Sequence, residues 1–163
     1  MSKTVPRIFL LQGDIYCRPG PAVITTILGS CVSVCLWDAV LKLGGINHYV
    51  LPEGTEGDCN PRYGNAAIDC LRARMLELGG RARHLQAKIF GGAAVLPIGM
   101  DATTVGGRNV QIAMERLHDY RIPVAAQRTG GQSGRMISFY TETGEAVVRD
   151  LPADGGTTGY SPR

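Results

Sequence analysis

Many of the chain's 22 glycines stand in adjacent pairs, Gly44-Gly45, Gly79-Gly80, Gly91-Gly92, Gly106-Gly107 and Gly130-Gly131 among them, spread along 163 residues. A residue without Cβ marks a sharp turn or a close approach of two backbones. The chain is therefore cut into many short elements rather than a few long helices. Between the glycines lies enough apolar material for a core: 44 % of residues are hydrophobic and 19 % charged, an ordinary globular composition. A chain of this length fits one domain and buries about 70 % of its unfolded surface, so it needs no disulfide or metal staple.

Apolar and β-branched residues fill Arg7 to Cys17 and Ala22 to Leu28, with Pro19-Gly20-Pro21 between them, which predicts two strands and a turn. Cys31 to Trp37 and Ile46 to Leu51 form a hairpin around the turn region Ala39 to Gly45. Asn65 caps a helix reaching Leu78, with Ile68, Leu71, Met75 and Leu78 at helical spacing. Gly79-Gly80 closes it. Leu85 to Phe90 is a strand. A second helix from Gly107 to Tyr120 puts Val110, Met114, Leu117 and Arg121 on one side, with Ala113 in the stripe. Ile122 to Ala126, Met136 to Thr141 and Ala146 to Leu151 are the remaining strands. The expected fold is α+β, a single-domain sandwich of mainly antiparallel sheet with two helices on one side, spanning residues 1–151. From Pro152 onward, residues 152–163 have little to bury and form a mobile tail.

The net charge of +3 and the interleaving of both signs argue against a nucleic-acid partner. The densest basic stretch, Arg72, Arg74, Arg81, Arg83 and Lys88, surrounds a helix end and reads as a solvated face, with a docking surface for an acidic protein as the sharper alternative. Ile8 to Leu11 is too short for a signal-peptide core, and no apolar run reaches the roughly 18 residues of a membrane span. Five cysteines, odd in number and irregularly spaced, suit reduced thiols in the cytoplasm.

Chemistry concentrates in Thr25-Thr26-Ile27-Leu28-Gly29-Ser30-Cys31 and in Gly44-Gly45-Ile46-Asn47-His48. Cys31 follows a strand and a turn of small residues, where its amide and those of its neighbours can converge on an oxyanion and Gly29 admits a substrate main chain. A hairpin brings His48 within reach of that thiol. On residue type alone, a cysteine between Ser30 and Val32 is more often a small core residue than a nucleophile. A redox pair of Cys31 with Cys35 is disfavoured, because four residues of strand span about 13 Å against the roughly 7 Å a disulfide tolerates. His84 and His118 lie in different elements without ligand spacing, so no metal site is expected.

The blocks Leu28-Gly29-Ser30-Cys31-Val32-Ser33-Val34-Cys35-Leu36, Gly45-Ile46-Asn47-His48-Tyr49-Val50-Leu51-Pro52, Lys88-Ile89-Phe90-Gly91-Gly92-Ala93 and Gly107-Arg108-Asn109 resemble, in this order, the CheD family of bacterial chemoreceptor glutamine deamidases. Thr129-Gly130-Gly131, Gly134-Arg135 and the Thr143-Gly144 hairpin extend the resemblance over about Arg7 to Leu151. It implies conversion of glutamine side chains to glutamate on chemoreceptor cytoplasmic helices, with ammonia released and no cofactor. It implies Cys31 as nucleophile, His48 as base and Thr25 as third member six positions before the cysteine, with the neighbour Thr26 or a backbone carbonyl as the alternative third member; Gly29 and Ser30 belong to the oxyanion support argued above. It also implies binding to the phosphatase CheC, in competition with receptor and coupled to phosphorylated CheY. Where the family usually has an acidic residue before the late glycine pair, this chain has Gln127-Arg128, which bears on the partner surface.

Three other readings compete with this one. A non-catalytic regulator of a CheC-type phosphatase has no need for Cys31, His48 and Thr25 together. A papain-like peptidase separates cysteine and histidine by about 130 residues, against 48 − 31 = 17 here. A thiol redox protein fails on the strand geometry.

Overall fold

The computed structural model describes residues 4–55, 57–94 and 104–152. Along them run β1 (Arg7–Phe9), β2 (Ile15–Cys17), β3 (Val23–Leu28), β4 (Val32–Asp38), β5 (Leu43–Asn47), α1 (Gly64–Glu77), β6 (Leu85–Gly91), α2 (Val105–Asp119), β7 (Val124–Thr129), β8 (Arg135–Tyr140) and β9 (Ala146–Asp150). A four-stranded sheet has the order β1-β3-β8-β9, and a five-stranded sheet the order β2-β5-β4-β6-β7. Only the β1/β3 and β6/β7 pairs are parallel. The α+β sandwich read from the sequence is the observed architecture.

Strand β4 shows how the layers stack. Val32, Val34 and Leu36 point to one face and pack with Ile68 and Leu71 of α1 and Ile112 and Leu117 of α2. Cys31 and Cys35 point the other way, against Ile24 and Leu28 of β3 and Ile137 and Phe139 of β8. The five-stranded sheet is thus covered by helices on one side and by the second sheet on the other. Burial on both faces explains why β4 reads as a nearly unbroken apolar run without clear alternation,.

Several local expectations shift. Arg7 to Cys17 is two strands in different sheets, because the chain turns at Gly13, whose φ of 84° only glycine adopts freely,. Asn65 does not cap α1. The cap position is Tyr63, with no side-chain bond, and Asn65 Oδ1 instead accepts from the Gly54 N–H at 3.3 Å. Helix α2 starts earlier than its apolar spacing suggests, because Thr104 Oγ1 accepts from the Gly107 N–H at 3.0 Å,. Its buried face carries Gly106, Asn109, Ile112, Ala113 and Leu117, while Met114 is exposed. The buried stripe is rotated from the one the apolar spacing predicts, because a polar residue, Asn109, belongs to it. The expected tail, beyond Pro152 itself, lies outside the described residues.

One glycine ties the fold to its chemistry. Gly91 ends β6 at φ 106°, and a Cβ there would run into the Cys31 carbonyl oxygen. A Cβ on Gly20, at φ 90°, would have nothing within 4 Å. Gly20→Ala therefore carries left-handed strain alone, about 1–2 kcal/mol, while Gly91→Ala adds a main-chain clash and should cost at least about 2 kcal/mol more. Urea unfolding of both variants measures the difference. Equal losses would show that the turn before β4 can move aside.

Candidate active site

Cys31 lies where the chain leaves β3 in one sheet and enters β4 in the other, so Gly29-Ser30 form a crossing turn between the layers. Its carbonyls are all engaged. Gly29 O accepts from the Ala93 N–H and Cys31 O from the Gly92 N–H, each at 2.9 Å, and Ser30 O accepts from Asn109 Nδ2 at 2.9 Å. Among the described residues the N–H groups of Ser30 and Cys31 donate to no main-chain carbonyl. The turn thus faces its surroundings with donors, as an oxyanion requires.

His48 follows β5 and is pinned through its backbone, its N–H donating to Asp14 O at 3.2 Å and its carbonyl accepting from the Gly13 N–H at 2.7 Å. Val32 and Tyr49 exchange both main-chain bonds, at 3.1 and 3.0 Å, in register with the Cys35–Ile46 pair. That register sets Ser33 opposite His48 and Cys31 opposite Val50. Alternation then brings Cys31, Ser33 and His48 out on one face, toward the four-stranded sheet. Cys31 and His48 are diagonal cross-strand neighbours, a separation of roughly 7 Å between Cα atoms in standard pairing.

The partner of His48 comes from the opposite sheet, and it is Thr26 rather than Thr25. Thr26 Oγ1 lies 2.7 Å from His48 Nδ1, whereas Thr25 Oγ1 meets Ser138 Oγ at 3.1 Å on the outer side of the β3/β8 pair. Adjacent residues on a strand face opposite ways, so only one of two consecutive threonines can reach the histidine. Ile24, Thr26 and Leu28 are the inward set, each fully buried. Apolar residues occupy both registers of β3, and the sequence offered no signal to choose between them.

The hydrogen bonds fix the histidine tautomer. Thr26 Oγ1 also donates to the Leu10 carbonyl at 2.8 Å. A carbonyl can only accept, so the single hydroxyl proton is used there, and Thr26 must accept from Nδ1–H of His48. Nε2 then carries the lone pair. That nitrogen is buried without a hydrogen-bond partner; the bond it could make to Cys31 Sγ is not formed in this resting geometry, as is common before substrate binds. The Ser33 hydroxyl across the strand pair also has no partner among the described residues.

Burial sets the protonation states. Cys31 is 7 % exposed and His48 3 %. Burial raises the Cys31 thiol above its ordinary range, with its own main-chain N–H pulling the other way. Burial lowers His48 to about 4, opposed by the nearby Asp14. At neutral pH the two are a thiol and a neutral imidazole, not a preformed ion pair. Above His48 opens a cavity of about 480 Å³, lined in part by Phe9, Leu11, Ile27, Arg62 and Thr26.

Sequence reasoning named Cys31, His48, Ser30 and Gly29, and the structure brings these together. That reasoning put Thr25 in the third place with its neighbour Thr26 as the alternative, of which Thr26 is the one at His48, and it missed Ser33 and Asn109. The GRN block containing Asn109 was visible, but nothing in it pointed to the cysteine turn.

A two-sheet α+β domain with a thiol and an oriented imidazole on one face between its layers defines a class, that of candidate cysteine hydrolases. The chain belongs to the CheD family. The family model described as CheD chemotactic sensory transduction matches residues 50–150. A Rhodospirillum rubrum protein named a probable chemoreceptor glutamine deamidase CheD is 51 % identical over 93 % of this chain and 86 % of its own length. Similarly named proteins of Trichlorobacter lovleyi and Anaeromyxobacter dehalogenans are 43 % and 40 % identical, over 88 % and 89 % of this chain and 90 % and 85 % of their own.

The depressed His48 sets a pH dependence of stability. Its folded value is about 4, against about 6.5 when unfolded. Between these values the unfolded chain binds a proton that the folded chain does not, so the contribution is complete above pH 6.5 and is lost as pH falls toward 4. From pH 7 to pH 5 the loss is about 2 kcal/mol. His48→Asn keeps a donor for Thr26 but cannot titrate. Its urea midpoint should drop less over that interval by the corresponding amount, and identical pH profiles would place the titration elsewhere.

Proposed function

We propose that this protein is a cysteine-dependent deamidase that converts glutamine side chains on the cytoplasmic helices of chemoreceptors to glutamate. The observation that carries the reading is His48, with Nδ1 committed to Thr26 and the Nε2 lone pair open on the face that Cys31 shares. A buried polar atom without a partner costs stability. A proton-accepting role gives it a use.

A carboxamide is a weak electrophile, so the sulfur must attack as thiolate. Nε2 of His48 takes the Cys31 proton as Sγ adds to the glutamine Cδ. The N–H groups of the Gly29-Ser30-Cys31 turn receive the oxyanion. The imidazolium gives its proton to the amide nitrogen and ammonia leaves, with a thioester remaining. Water, giving its proton to His48, then adds to the thioester carbon; Sγ departs and is reprotonated, and glutamate is released. Thr26 holds Nδ1–H throughout. A glutamine side chain would approach through the cavity beside His48, whose lining includes Phe9, Leu11, Thr26 and Arg62 but not Cys31.

The proposed substrate would put the reaction in the cytoplasm. Among the described residues no helix is long and apolar enough to cross a membrane. The resemblance adds a CheC-type phosphatase as a second partner, linked to phosphorylated CheY. Nothing in the site favours a purely non-catalytic regulator.

Peptide mass mapping of a purified receptor cytoplasmic domain tests the chemistry. Cys31→Ala and Cys31→Ser should abolish glutamine-to-glutamate conversion with the fold intact. His48→Ala should lose nearly as much, and the double variant should be little worse than either, because the two act as one unit. Thr26 contributes one neutral hydrogen bond worth about 1 kcal/mol, so Thr26→Val should slow turnover about fivefold, while Thr25→Val stays within about twofold of wild type. The reverse order for the two threonines would return the third role to Thr25. If the phosphatase competes with receptor, gel filtration of all three proteins should yield binary complexes only. A ternary complex with undiminished deamidation would remove that competition from the proposal.

A further inference from the structure

Asn109 occupies a position where helix α2 should present an apolar side chain. It is fully buried and shares the inward face with Ile112, Ala113 and Leu117. Asparagine is a modest helix former, and a buried amide there must be hydrogen-bonded to be tolerated. Both Nδ2 donors are used, one to Ser30 O at 2.9 Å and one to Val50 O at 2.9 Å. Oδ1 has no partner. A side chain with one acceptor left unpaired is poor as core filling. It serves as a donor bridge between two particular carbonyls.

Those carbonyls belong to the two catalytic segments. Ser30 immediately precedes Cys31, and Val50 lies two residues after His48 on the paired chain. The Ser30–Cys31 peptide is trans, as are all the described peptide bonds, so its C=O and N–H point in opposite directions. Drawing the carbonyl toward α2 turns the Cys31 N–H away from the helix layer, toward the inter-sheet face where Sγ and His48 lie. The effect of that N–H on the Cys31 thiol agrees with this direction.

We infer that Asn109 is a positioning residue for the deamidase reaction: by holding Ser30 O and Val50 O together it aims the Cys31 N–H at the oxyanion and keeps the cysteine turn in register with the His48 strand. This rests on the proposed chemistry. Asn109 touches no reacting atom, and its effect is on kcat rather than on substrate binding.

The experiment compares wild type with Asn109→Leu, which keeps approximate shape without donors, and with Tyr49→Phe. Tyr49 Oη donates to the main-chain carbonyl of the same Asn109 at 2.5 Å, so its loss loosens the same helix without freeing Ser30 O. Deamidation of a receptor cytoplasmic domain, thermal melts, and the pH dependence of Cys31 alkylation by iodoacetamide are measured on each. Asn109→Leu should lower kcat about 100-fold with KM within about threefold, in the range found when an oxyanion donor is misplaced. Its Cys31 alkylation at pH 8 should slow at least about fivefold as the thiol titrates higher. Tyr49→Phe should stay within about threefold on both counts even if it melts as low. Should Asn109→Leu not fold, Asn109→Asp serves, because its carboxyl donates only when protonated and its activity relative to wild type should rise as pH falls.

Asn109→Leu within threefold of wild type, a Tyr49→Phe loss as large at equal melting temperature, or a flat Asn109→Asp ratio would overturn the assignment. Absence of deamidation by wild type would instead overturn the function proposed above, while the alkylation comparison would still report on the aim of the Cys31 peptide.

Discussion

The two main-chain hydrogen bonds between Val32 and Tyr49 govern everything built around them. They continue the β4/β5 register past the last regular pair and decide which residues face the second sheet. A slip of one residue would turn His48 toward the helices and Tyr49 toward the sheet interface. The slip is opposed from both sides. Asn47 Oδ1 accepts from the Val34 N–H at 2.8 Å, and the fully buried ring of Tyr49 packs in the core between this sheet and the helices. His48 is thus held by the residues on either side of it.

The same placement explains why one thiol among five can be singled out. Cys35 lies two residues further along the same face, completely buried; burial pushes its thiol far up despite Lys88 nearby. Cys17 is pushed up to about 11 by burial and rests against Met75 Sδ at 3.3 Å. Cys59 is exposed in a loop, and Cys70 lies part-buried on α1. Only Cys31 combines a strand end, neighbouring N–H groups without main-chain acceptors and an oriented imidazole diagonally across the pair. Apolar walls supplied by Ile24, Leu28 and Phe139 disfavour both charged forms, so the proton stays on sulfur and the imidazole stays neutral.

Much of the fold was legible because its signals are local. Glycine pairs punctuated the chain, and α1 followed from the spacing of Ile68, Leu71 and Met75; the β4/β5 hairpin was legible too, but β5 runs Leu43–Asn47, so it starts inside the expected turn Ala39 to Gly45 and ends before Leu51. What failed depends on partners distant in sequence. Whether Thr25 or Thr26 faces His48 is decided by the pairing of β3 with β8, and β3 is apolar in both registers. Arg7 to Cys17 looked continuous because the sequence does not state that its halves pair with different sheets. Asn109 was hidden for a related reason. A polar residue on a helix reads as surface, and only the carbonyls of Ser30 and Val50, brought from 79 and 59 positions away, give it an interior role. The resemblance named Cys31 and His48, which the structure sets on one face, and carried the threonine by counting; strand alternation puts Thr26 rather than Thr25 against the histidine.

A site set between two sheets has a mechanical consequence. Cys31 and His48 belong to the five-stranded sheet, Thr26 to the four-stranded one, so the orientation of the imidazole depends on the packing of one layer against the other. Ile24 and Leu28, flanking Thr26, share a core with Ile46, Phe90 and Cys31. Loss of volume in that core would let the sheets shift and would lengthen the 2.7 Å Thr26–His48 contact before it unfolded the protein. Substitutions on the helix side, at Ile68 or Leu117, act on a separate core and reach the imidazole only through β4 and β5. The division of the hydrophobic interior into two clusters therefore separates stability into a part that supports the catalytic geometry directly and a part that supports it only through the sheet.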